Sequence, residues 1–321
     1  MKLDSFILFL LLSIGIAYFF PQLALYQEGE LLGKITTAGV FLIFFFYGLK
    51  LSFQEIKAGL SNWRLHILVQ LATFLLFPVL VLLFRPLVQS AVDEHLWISF
   101  FFLAALPSTV SSSVVMVSIA KGNVPAAIFN ASISGLIGVL ITPLWMALFL
   151  DFQSHDILQD VYGGLLIEII LPVVLGLGLQ RYWGSWANRY GKQLSKFDKF
   201  VILLIVYSSF AESFNSGVFD SISRAYLLGI FAGVIILFIV IYVLLKVVSS
   251  YLLGFNRADA ITAIFCGSKK SLTHGSVFGK FLFVNNPHAA LYFLPLMVFH
   301  AFQIFIITII AQRMQREVKD N

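Results

Sequence analysis

Cysteine is almost absent from this sequence, since Cys266 is the only one in 321 residues. A single thiol excludes a disulfide framework within the chain and a metal site built from several cysteines. Charged residues are also scarce, at 12% of the chain, whereas soluble domains have about 25%. The sequence lacks a G-x-x-x-x-G-K-[ST] loop, a G-x-S-x-G motif and an H-E-x-x-H motif, so neither nucleotide binding nor these hydrolase mechanisms are indicated. The one enzymatic alternative is a hydrolase dyad of Ser112 with Lys269 or Lys270. Nothing in the sequence indicates an oxyanion hole for it. We therefore predict that the protein is not an enzyme and has no cofactor.

Apolar residues dominate instead, at 60% of the chain, and the mean hydropathy is +0.94. Apolar runs of about 18 residues or more recur along the whole length, which is typical of a helical protein with many membrane spans. Pro, Gly and charged residues mark the short connections between the runs. We predict ten transmembrane helices, at about 3–20, 34–50, 64–84, 97–120, 124–150, 157–180, 199–215, 225–248, 259–284 and 288–311.

The basic residues of the loops predict an orientation. About fifteen of them fall on one side of these spans and four on the other, Lys280 among the four. The positive-inside rule then places both termini in the cytoplasm of an inner or plasma membrane. Because the positive charge flanks the membrane, the net charge of +5 does not indicate nucleic-acid binding. A signal peptide is the alternative for span 1, although no clear small-x-small cleavage site follows it.

Ten spans favour a repeat of five, with residues 1–152 and 153–321 as inverted copies. Span 4 is interrupted by Pro107 and a Ser/Thr run, and span 9 by Gly267, Ser268, two lysines and Ser271. Both interrupted spans are the fourth of their half. Paired interruptions of this kind point to the central site of a transporter, and two merely kinked structural helices are the alternative.

Unwinding a helix inside a membrane frees backbone groups and aims half-helix ends at one place. Hydroxyl, amide and imidazole groups near the two breaks could bind that backbone, a substrate or an ion, and each alone could equally be a helix-packing hydrogen bonder. The predicted binding residues at the breaks are Ser108, Thr109, Ser111, Ser112, Ser113, Asn130, Ser134, Gly267, Ser268, Lys269, Lys270 and Ser271. Supporting polar residues are Gln70, Glu168, Glu212, His274 and Gln303.

Charge inside a span is costly and marks function by default. Lys269 and Lys270 lie about ten residues from either end of span 9, so snorkelling to the surface is disfavoured for both. Three roles are open for Glu168 and for Glu212: ion-pair partner of a lysine, proton carrier, or residue near the membrane interface.

Five stretches carry a resemblance to a known family: RLHILVQ (64–70), LPSTVSSSVV (106–115), KGNVPAAIFNASISGLIGVLITPL (121–144), YSSFAESF (207–214) and AIFCGSKKSLTHG (263–275). With these, the whole chain resembles the bile acid:sodium symporter superfamily, solute carrier family 10. The nearer match is its SBF-like branch, which includes the seventh vertebrate member.

The resemblance implies a fold and a mechanism. It implies a core domain of spans 3–5 and 8–10, a panel domain of spans 1, 2, 6 and 7, broken helices that cross near the midplane, and alternating access. It also implies that two sodium ions bind behind the crossing. The positions of their ligands are occupied here by Ala127, Ala131, Phe265 and Lys269, and one falls near Val114. The sodium ligands of the family are therefore largely missing. A rearranged sodium site remains open at Ser112, Ser113, Asn130 and Ser134.

A lysine at a sodium-ligand position leaves three mechanisms open. Lys269 or Lys270 replaces sodium permanently, or carries a coupling proton, or binds an anionic substrate directly. The prediction is therefore a secondary transporter for a small organic anion, bile-acid-like or sterol-like, in a lipid bilayer, with Na⁺, H⁺ or neither as coupling ion. The alternative is a non-transporting membrane regulator of ion homeostasis that retains the fold. Oligomeric state, stoichiometry and direction stay open.

Overall fold

The computed structural model of the chain describes residues 5–26, 30–51, 62–109, 111–150, 162–217, 219, 223–284 and 286–319. These residues form helices and connecting turns, and no strand occurs among them. The helices are α1 (Ser5–Phe19), α2 (Pro21–Ala24), α3 (Glu30–Lys50), α4 (Trp63–Leu71), α5 (Phe77–Leu82), α6 (Ala91–Ala105), α7 (Ser111–Ile119), α8 (Val124–Ala147), α9 (Leu171–Arg189), α10 (Gly191–Asn215), α11 (Arg224–Val247), α12 (Arg257–Gly267), α13 (Leu272–Leu282) and α14 (Ala289–Lys319).

Wider π-helical turns interrupt or extend three of the helical rods. They comprise Ala72–Leu76 between α4 and α5, Leu166–Ile170 before α9, and Val248–Leu252 after α11. A π-turn widens the helix and shifts its hydrogen bonds by one residue, which often occurs at functional sites. The turn Ala72–Leu76 contributes directly to the site described below.

Six helical rods among the described residues are long and apolar enough to cross a membrane, and Phe6–Phe19 is a shorter apolar helix. The six are Glu30–Lys50, Trp63–Leu87, Val124–Ala147, Tyr162–Arg189, Arg224–Leu252 and Ala289–Arg316. The chain is therefore an integral membrane protein with several spans. Ten spans in two inverted repeats stay a prediction, as do the repeat boundaries and the orientation of the termini.

The interruptions predicted in spans 4 and 9 coincide with helix ends. One helix stops at Ala105 and the next begins at Ser111, while α12 stops at Gly267 and α13 begins at Leu272. Pro107 cannot donate the backbone bond that would continue α6. Span 7 was predicted as a short helix from 199, whereas α10 begins at Gly191.

The chain divides into two compact units. The first consists of residues 1–52, 147–224 and 276–293. Glycines bring α3 and α9 into close contact there, because a side chain at Gly48 or Gly176 would collide with the backbone of the facing helix. Hydrogen bonds join α10 to α1 and to the residue that follows α1. The Ser13 hydroxyl donates to the Leu203 carbonyl at 3.0 Å, and the Tyr207 hydroxyl donates to the Phe20 carbonyl at 2.7 Å. Small residues and polar bonds of this kind hold membrane helices together.

The second unit consists of residues 53–146, 225–275 and 294–321. It contains α4 to α8, α11, α12, the first turn of α13 and most of α14. Both breaks lie in this unit, and so do all the contacts of Lys269 and Lys270 that are described below. The predicted division into core and panel domains stays a prediction.

Candidate functional site

The two interrupted helices meet at their breaks within the second unit. The Ser108 hydroxyl donates to the Cys266 carbonyl at 2.5 Å, near the C-terminus of α12. The backbone N–H of Ser271 donates to the Pro107 carbonyl at 2.9 Å. Each break therefore supplies partners for backbone groups that the other break has freed, as a buried irregular segment requires.

Lys270 is the central side chain of this crossing. Its ammonium donates to three backbone carbonyls, those of Thr73, Ala104 and Leu106, at 2.7, 2.6 and 2.7 Å. Its Nζ also lies 4.1 Å from the centroid of the Phe77 ring, and the side chain is fully buried. Three carbonyls match the three N–H groups of an ammonium, so this set of oxygen acceptors is complementary to the protonated form of the side chain.

The carbonyl of Thr73 is available because of the π-turn and a proline. Phe77 would bond the Thr73 carbonyl in an α-helix, but its N–H donates to the Ala72 carbonyl instead. In the wider π pattern the next donor would be residue 78, and Pro78 has no N–H. Thr73 is thus left with a free acceptor, which Lys270 fills. Pro78 would also be the α-helical donor to the carbonyl of Phe74, which accepts the indole N–H of Trp145 instead, at 2.8 Å.

The carbonyls of Ala104 and Leu106 are available because α6 ends there. The Ser108 N–H would continue the helix to Ala104, but it donates to the Ser134 hydroxyl at 3.0 Å. The intervening carbonyl of Ala105 accepts from Thr142 at 2.8 Å. The C-terminal end of a helix has partial negative charge, so the end of α6 favours a cation where the Lys270 ammonium lies.

Gln303, on α14, fixes the backbone of Lys270. Its amide oxygen accepts from the Lys270 N–H at 3.0 Å, and its amide nitrogen donates to the Lys270 carbonyl at 2.8 Å. The same amide nitrogen lies 3.2 Å from His300 Nδ1. The two-point contact replaces the helical bonds that are missing at the break and holds the lysine in register with the carbonyls.

Lys269 is equally buried but differently bound. Only 1% of it is exposed, and its ammonium donates to the Ser112 carbonyl, at 2.9 Å, in the first turn of α7. The hydroxyl of Thr109 lies 2.7 Å from that of Ser112 and 3.0 Å from that of Ser113. Ser113 is also 3.5 Å from the Phe265 carbonyl.

Other predicted site residues form hydrogen bonds around the crossing. Gln70 donates to the backbone and side-chain oxygens of Asn130, both at 3.3 Å, and Asn130 donates to the Ala126 carbonyl at 3.0 Å. The Ser271 hydroxyl lies 2.9 Å from His274 Nδ1 at the start of α13. The side-chain oxygens of Gln70 and Ser268 are buried and have no hydrogen-bond partner. The side chain of Ser111 lies outside the described part of the chain.

Glu168 and Glu212 belong to the first unit, whereas Lys269 and Lys270 belong to the second. Glu168 lies in the first unit, 3.3 Å from the ammonium of Lys280, which also donates to the Thr37 hydroxyl. The ion-pair partner of Glu168 is thus Lys280, not a lysine of the break. Lys280, which was counted on the outer side of span 9, lies within α13. Glu212 is exposed on α10.

The sequence interpretation missed a buried carboxylate, that of Asp259. It accepts from the side-chain amides of Asn62, Asn123 and Asn256, each at 2.8 Å. Asn256 caps the start of α12 and Asn123 caps the start of α8, so the carboxylate joins the beginnings of these helices. The spacing Asn256–x–x–Asp259 is a helix-start signal that could have located it.

Asn123 belongs to the KGN stretch of the sequence motif, and the structure explains its neighbour Gly122. A side chain at Gly122 would lie 2.8 Å from Val117 and 2.9 Å from Ile261. The N–H of Asn123 meanwhile donates to the Thr262 hydroxyl at 2.9 Å. The motif thus packs the α7–α8 connection against α12 and fixes one half of the crossing relative to the other.

Half-helix carbonyl ends that bind a positively charged group where two broken helices meet are known from secondary transporters. The model of the SBF-like CPA transporter family matches residues 4–316. The chain therefore belongs to this family, and the resemblance inferred from its motifs is confirmed.

Curated relatives cover nearly the whole chain. The uncharacterized protein PA2026 of Pseudomonas aeruginosa is 37% identical over 318 residues, 99% of this chain and 94% of its own. The protein named "Putative symporter YfeH", of Escherichia coli strain K12, is 37% identical over 321 residues, 99% of this chain and 94% of its own. The mouse sodium/bile acid cotransporter 7 is 30% identical over 313 residues, 94% of this chain and 90% of its own. The family is one of transporters, and YfeH and the mouse relative carry transporter names, so the chain is a transporter and not an enzyme.

Proposed function

We propose that the chain is a secondary transporter for an organic anion, in which Lys270 occupies the place of a sodium ion. The observation that carries the proposal is the set of three carbonyl contacts to its ammonium. In transporters with broken helices, unwound carbonyls and half-helix C-termini coordinate the coupling cation. Lys270 brings the same single positive charge to such groups through a covalent tether.

The occupied site cannot exchange its cation with the solution. All three ammonium donors of Lys270 have acceptors, Gln303 fixes the backbone on both sides, and the side chain is fully buried. We therefore expect transport without sodium coupling at this position. In the alternative in which transport is still coupled to sodium, the ion would bind to the second possible set of ligands, around Ser112 and Asn130.

The substrate class rests on the relatives and on the charge at the breaks. The mouse relative is named for sodium and bile acid cotransport. Two buried lysines lie side by side here, so the site favours a negatively charged partner. We propose a small organic anion, bile-acid-like or sterol-like, moved by alternating access across an inner or plasma membrane, with both termini cytoplasmic.

Uptake into liposomes tests this proposal. Purified protein is reconstituted, and uptake of radiolabelled taurocholate and cholate is measured in sodium, potassium or choline chloride. We expect uptake above that of empty liposomes, at equal rates in the three salts. A requirement for sodium would refute the role of Lys270, and no uptake of either compound would favour the non-transporting regulator of ion homeostasis.

A further inference from the structure

The junction of α9 and α10 has an exposed basic surface. Tyr190 connects the two helices, since α9 ends at Arg189 and α10 begins at Gly191. Five basic side chains lie along the last turns of α9 and the first turns of α10, and all but the partly buried Lys199 are exposed. These side chains, which we call the junction cations, are Arg181, Arg189, Lys192, Lys196 and Lys199.

The charge of the junction is almost entirely positive. Residues 169–211 contain five basic residues and one acidic residue, Asp198, and therefore have a net charge of +4. With 3.6 residues per turn, Asp198 falls on the side of α10 that carries the buried Leu194, whereas Lys192 and Lys196 fall on the opposite side. The Oδ1 atom of Asp198 is buried, and its carboxylate interacts with the charge of Lys50 at the end of α3. Asp198 is thus directed inward, and the exposed side of the junction keeps its positive charge.

Aromatic rings accompany these charges. Four exposed rings lie along the end of α9, those of Tyr182, Trp183, Trp186 and Tyr190. The ring centroid of Trp186 lies 6.4 Å from that of Trp183 and 5.5 Å from that of Tyr190. Trp and Tyr are enriched where the hydrocarbon of a bilayer meets its headgroups, because each has an apolar body and a polar tip. The rings therefore indicate that α9 leaves the hydrocarbon at this level.

The length of α9 and its π-turn supports the same depth. The rod Tyr162–Arg189 has 28 residues, or about 42 Å at 1.5 Å per residue, whereas the hydrocarbon core is about 30 Å thick. The apolar part of the rod comes first, because residues 162–179 contain a single charged side chain, that of Glu168. The last turns, from Arg181 onward, therefore extend beyond the hydrocarbon into the headgroup layer.

The start of α10 follows in the same layer. Residues 191–198 precede the span predicted from 199, and they add about two helical turns directly after the end of α9. A lysine stem can lie along apolar surface while its ammonium reaches the polar layer, and the ammonium of Lys199 lies 5.0 Å from the centroid of the Phe6 ring. The junction cations of both helices are thus at the depth of the lipid phosphates.

We propose that the junction cations bind the headgroups of anionic phospholipids in the surrounding bilayer. A phosphate diester supplies the negative charge that complements this surface, and clusters of basic residues beside membrane spans bind anionic headgroups. The acyl chains of the same lipid would contact the exposed rings of Trp183 and Trp186. A soluble anion matches only the charges, whereas a lipid matches both the charges and the rings.

This surface belongs to the first unit, whereas the contacts of Lys269 and Lys270 belong to the second. A bound anionic lipid holds the end of α9 and the start of α10 at one depth in the membrane. The proposal goes beyond the transport function and does not depend on the transported substrate or on the coupling ion.

Native mass spectrometry with two competing lipids tests the proposal, because the mass of an adduct identifies the bound lipid. Purified full-length protein in a neutral detergent is mixed with equal amounts of dioleoylphosphatidylglycerol, which is anionic, and dioleoylphosphatidylcholine, which has no net charge. We expect phosphatidylglycerol to exceed phosphatidylcholine at least about fivefold among singly bound lipids, since one basic residue near an anionic headgroup contributes about that factor. The ratio should fall in about tenfold more ammonium acetate, because salt screens exposed charges.

Removing the three positive charges of α10 should lower this ratio at least about threefold. The variant carries Lys192→Gln, Lys196→Gln and Lys199→Gln. The matched control removes three exposed positive charges elsewhere and should keep the wild-type ratio at the same net charge; it carries Lys246→Gln, Arg313→Gln and Arg316→Gln. Thermal unfolding checks that both variants are folded. If the lysine variant is not, the pair Arg181→Gln and Arg189→Gln on α9 provides the same comparison.

Three outcomes would overturn the proposal. The wild type could bind the two lipids equally, which would show that the surface does not select anionic headgroups. The junction variant and its control could lower the ratio equally, which would show that net charge and not this surface attracts the lipid. A wild-type dimer that the junction variant no longer forms would assign the surface to a second copy of the chain.

Discussion

Replacing Lys270 with methionine should destabilise the protein more than replacing its neighbour Lys269 in the same way. Lys270→Met removes the donors of three buried carbonyls, and each unsatisfied group costs about 1–3 kcal/mol. It also removes the contact with the Phe77 ring, which contributes about 0.5–2 kcal/mol. The desolvation that a buried charge no longer suffers offsets several kcal/mol of this loss, so we expect a net loss of about 3 kcal/mol.

Lys269→Met is the matched control, because it removes one carbonyl contact instead of three. We expect it to cost about 1 kcal/mol or less, and the exposed Lys246→Met less than about 0.5 kcal/mol. Thermal unfolding of the purified variants, followed by tryptophan fluorescence in a buffer without sodium or potassium, ranks their stabilities. If Lys270→Met unfolds at the same temperature as Lys269→Met or above it, the carbonyl contacts do not stabilise a cation and the account of the site is wrong.

Three further substitutions test the surroundings of the crossing in the same unfolding assay. Gln303→Leu leaves an N–H and a carbonyl of the break unpaired and should cost about 2 kcal/mol or more. Asp259→Ala leaves three asparagine amides without their acceptor and should cost about 3 kcal/mol, against less than about 0.5 kcal/mol for the exposed control Glu30→Ala. Gly135→Ala places a methyl group 2.7 Å from the imidazole of His274 and should cost about 1–3 kcal/mol, whereas Gly229→Ala, with open space around it, should be neutral or stabilising.

Each of these expectations can fail on its own. A Gln303→Leu variant as stable as the wild type would show that water or relaxation satisfies the break. Equal effects of Asp259→Ala and Glu30→Ala would mean that the three amides do not depend on the carboxylate. If Gly135→Ala and Gly229→Ala behave alike, the close packing of His274 does not constrain α8.

Composition and hydropathy were sufficient to predict a helical membrane protein, and Pro107 and Gly267 were sufficient to locate both breaks. These features are local, because a proline or a glycine–serine run disrupts a helix wherever it stands. The motifs also predicted the family, since they span most of the crossing. Lys269 and Lys270 were predicted as site residues from the cost of burying a charge and from their place at the break of span 9.

The partners of those residues were not predictable, because they are backbone atoms. Nothing in the sequence marks the carbonyl of Thr73 as an acceptor until the π-turn Ala72–Leu76 is seen beside Pro78. The different hydrogen bonds of Lys269 and Lys270 likewise depend on the three-dimensional fold. Glu168 was a candidate partner for either of them, and its pairing with Lys280 depends on which helices are neighbours in the first unit.

Sodium titration of thermal stability, for the wild type and for Lys270→Ala, tests the central claim most directly. Removing the side chain opens a space bordered by three carbonyls, and a bound cation at about 100 times its Kd would restore about 2.7 kcal/mol. We predict that sodium leaves the unfolding temperature of the wild type unchanged relative to choline and raises that of Lys270→Ala in a saturable way. A saturable rise in the wild type, with none in Lys270→Ala, would contradict the claim that Lys270 stands in the place of sodium.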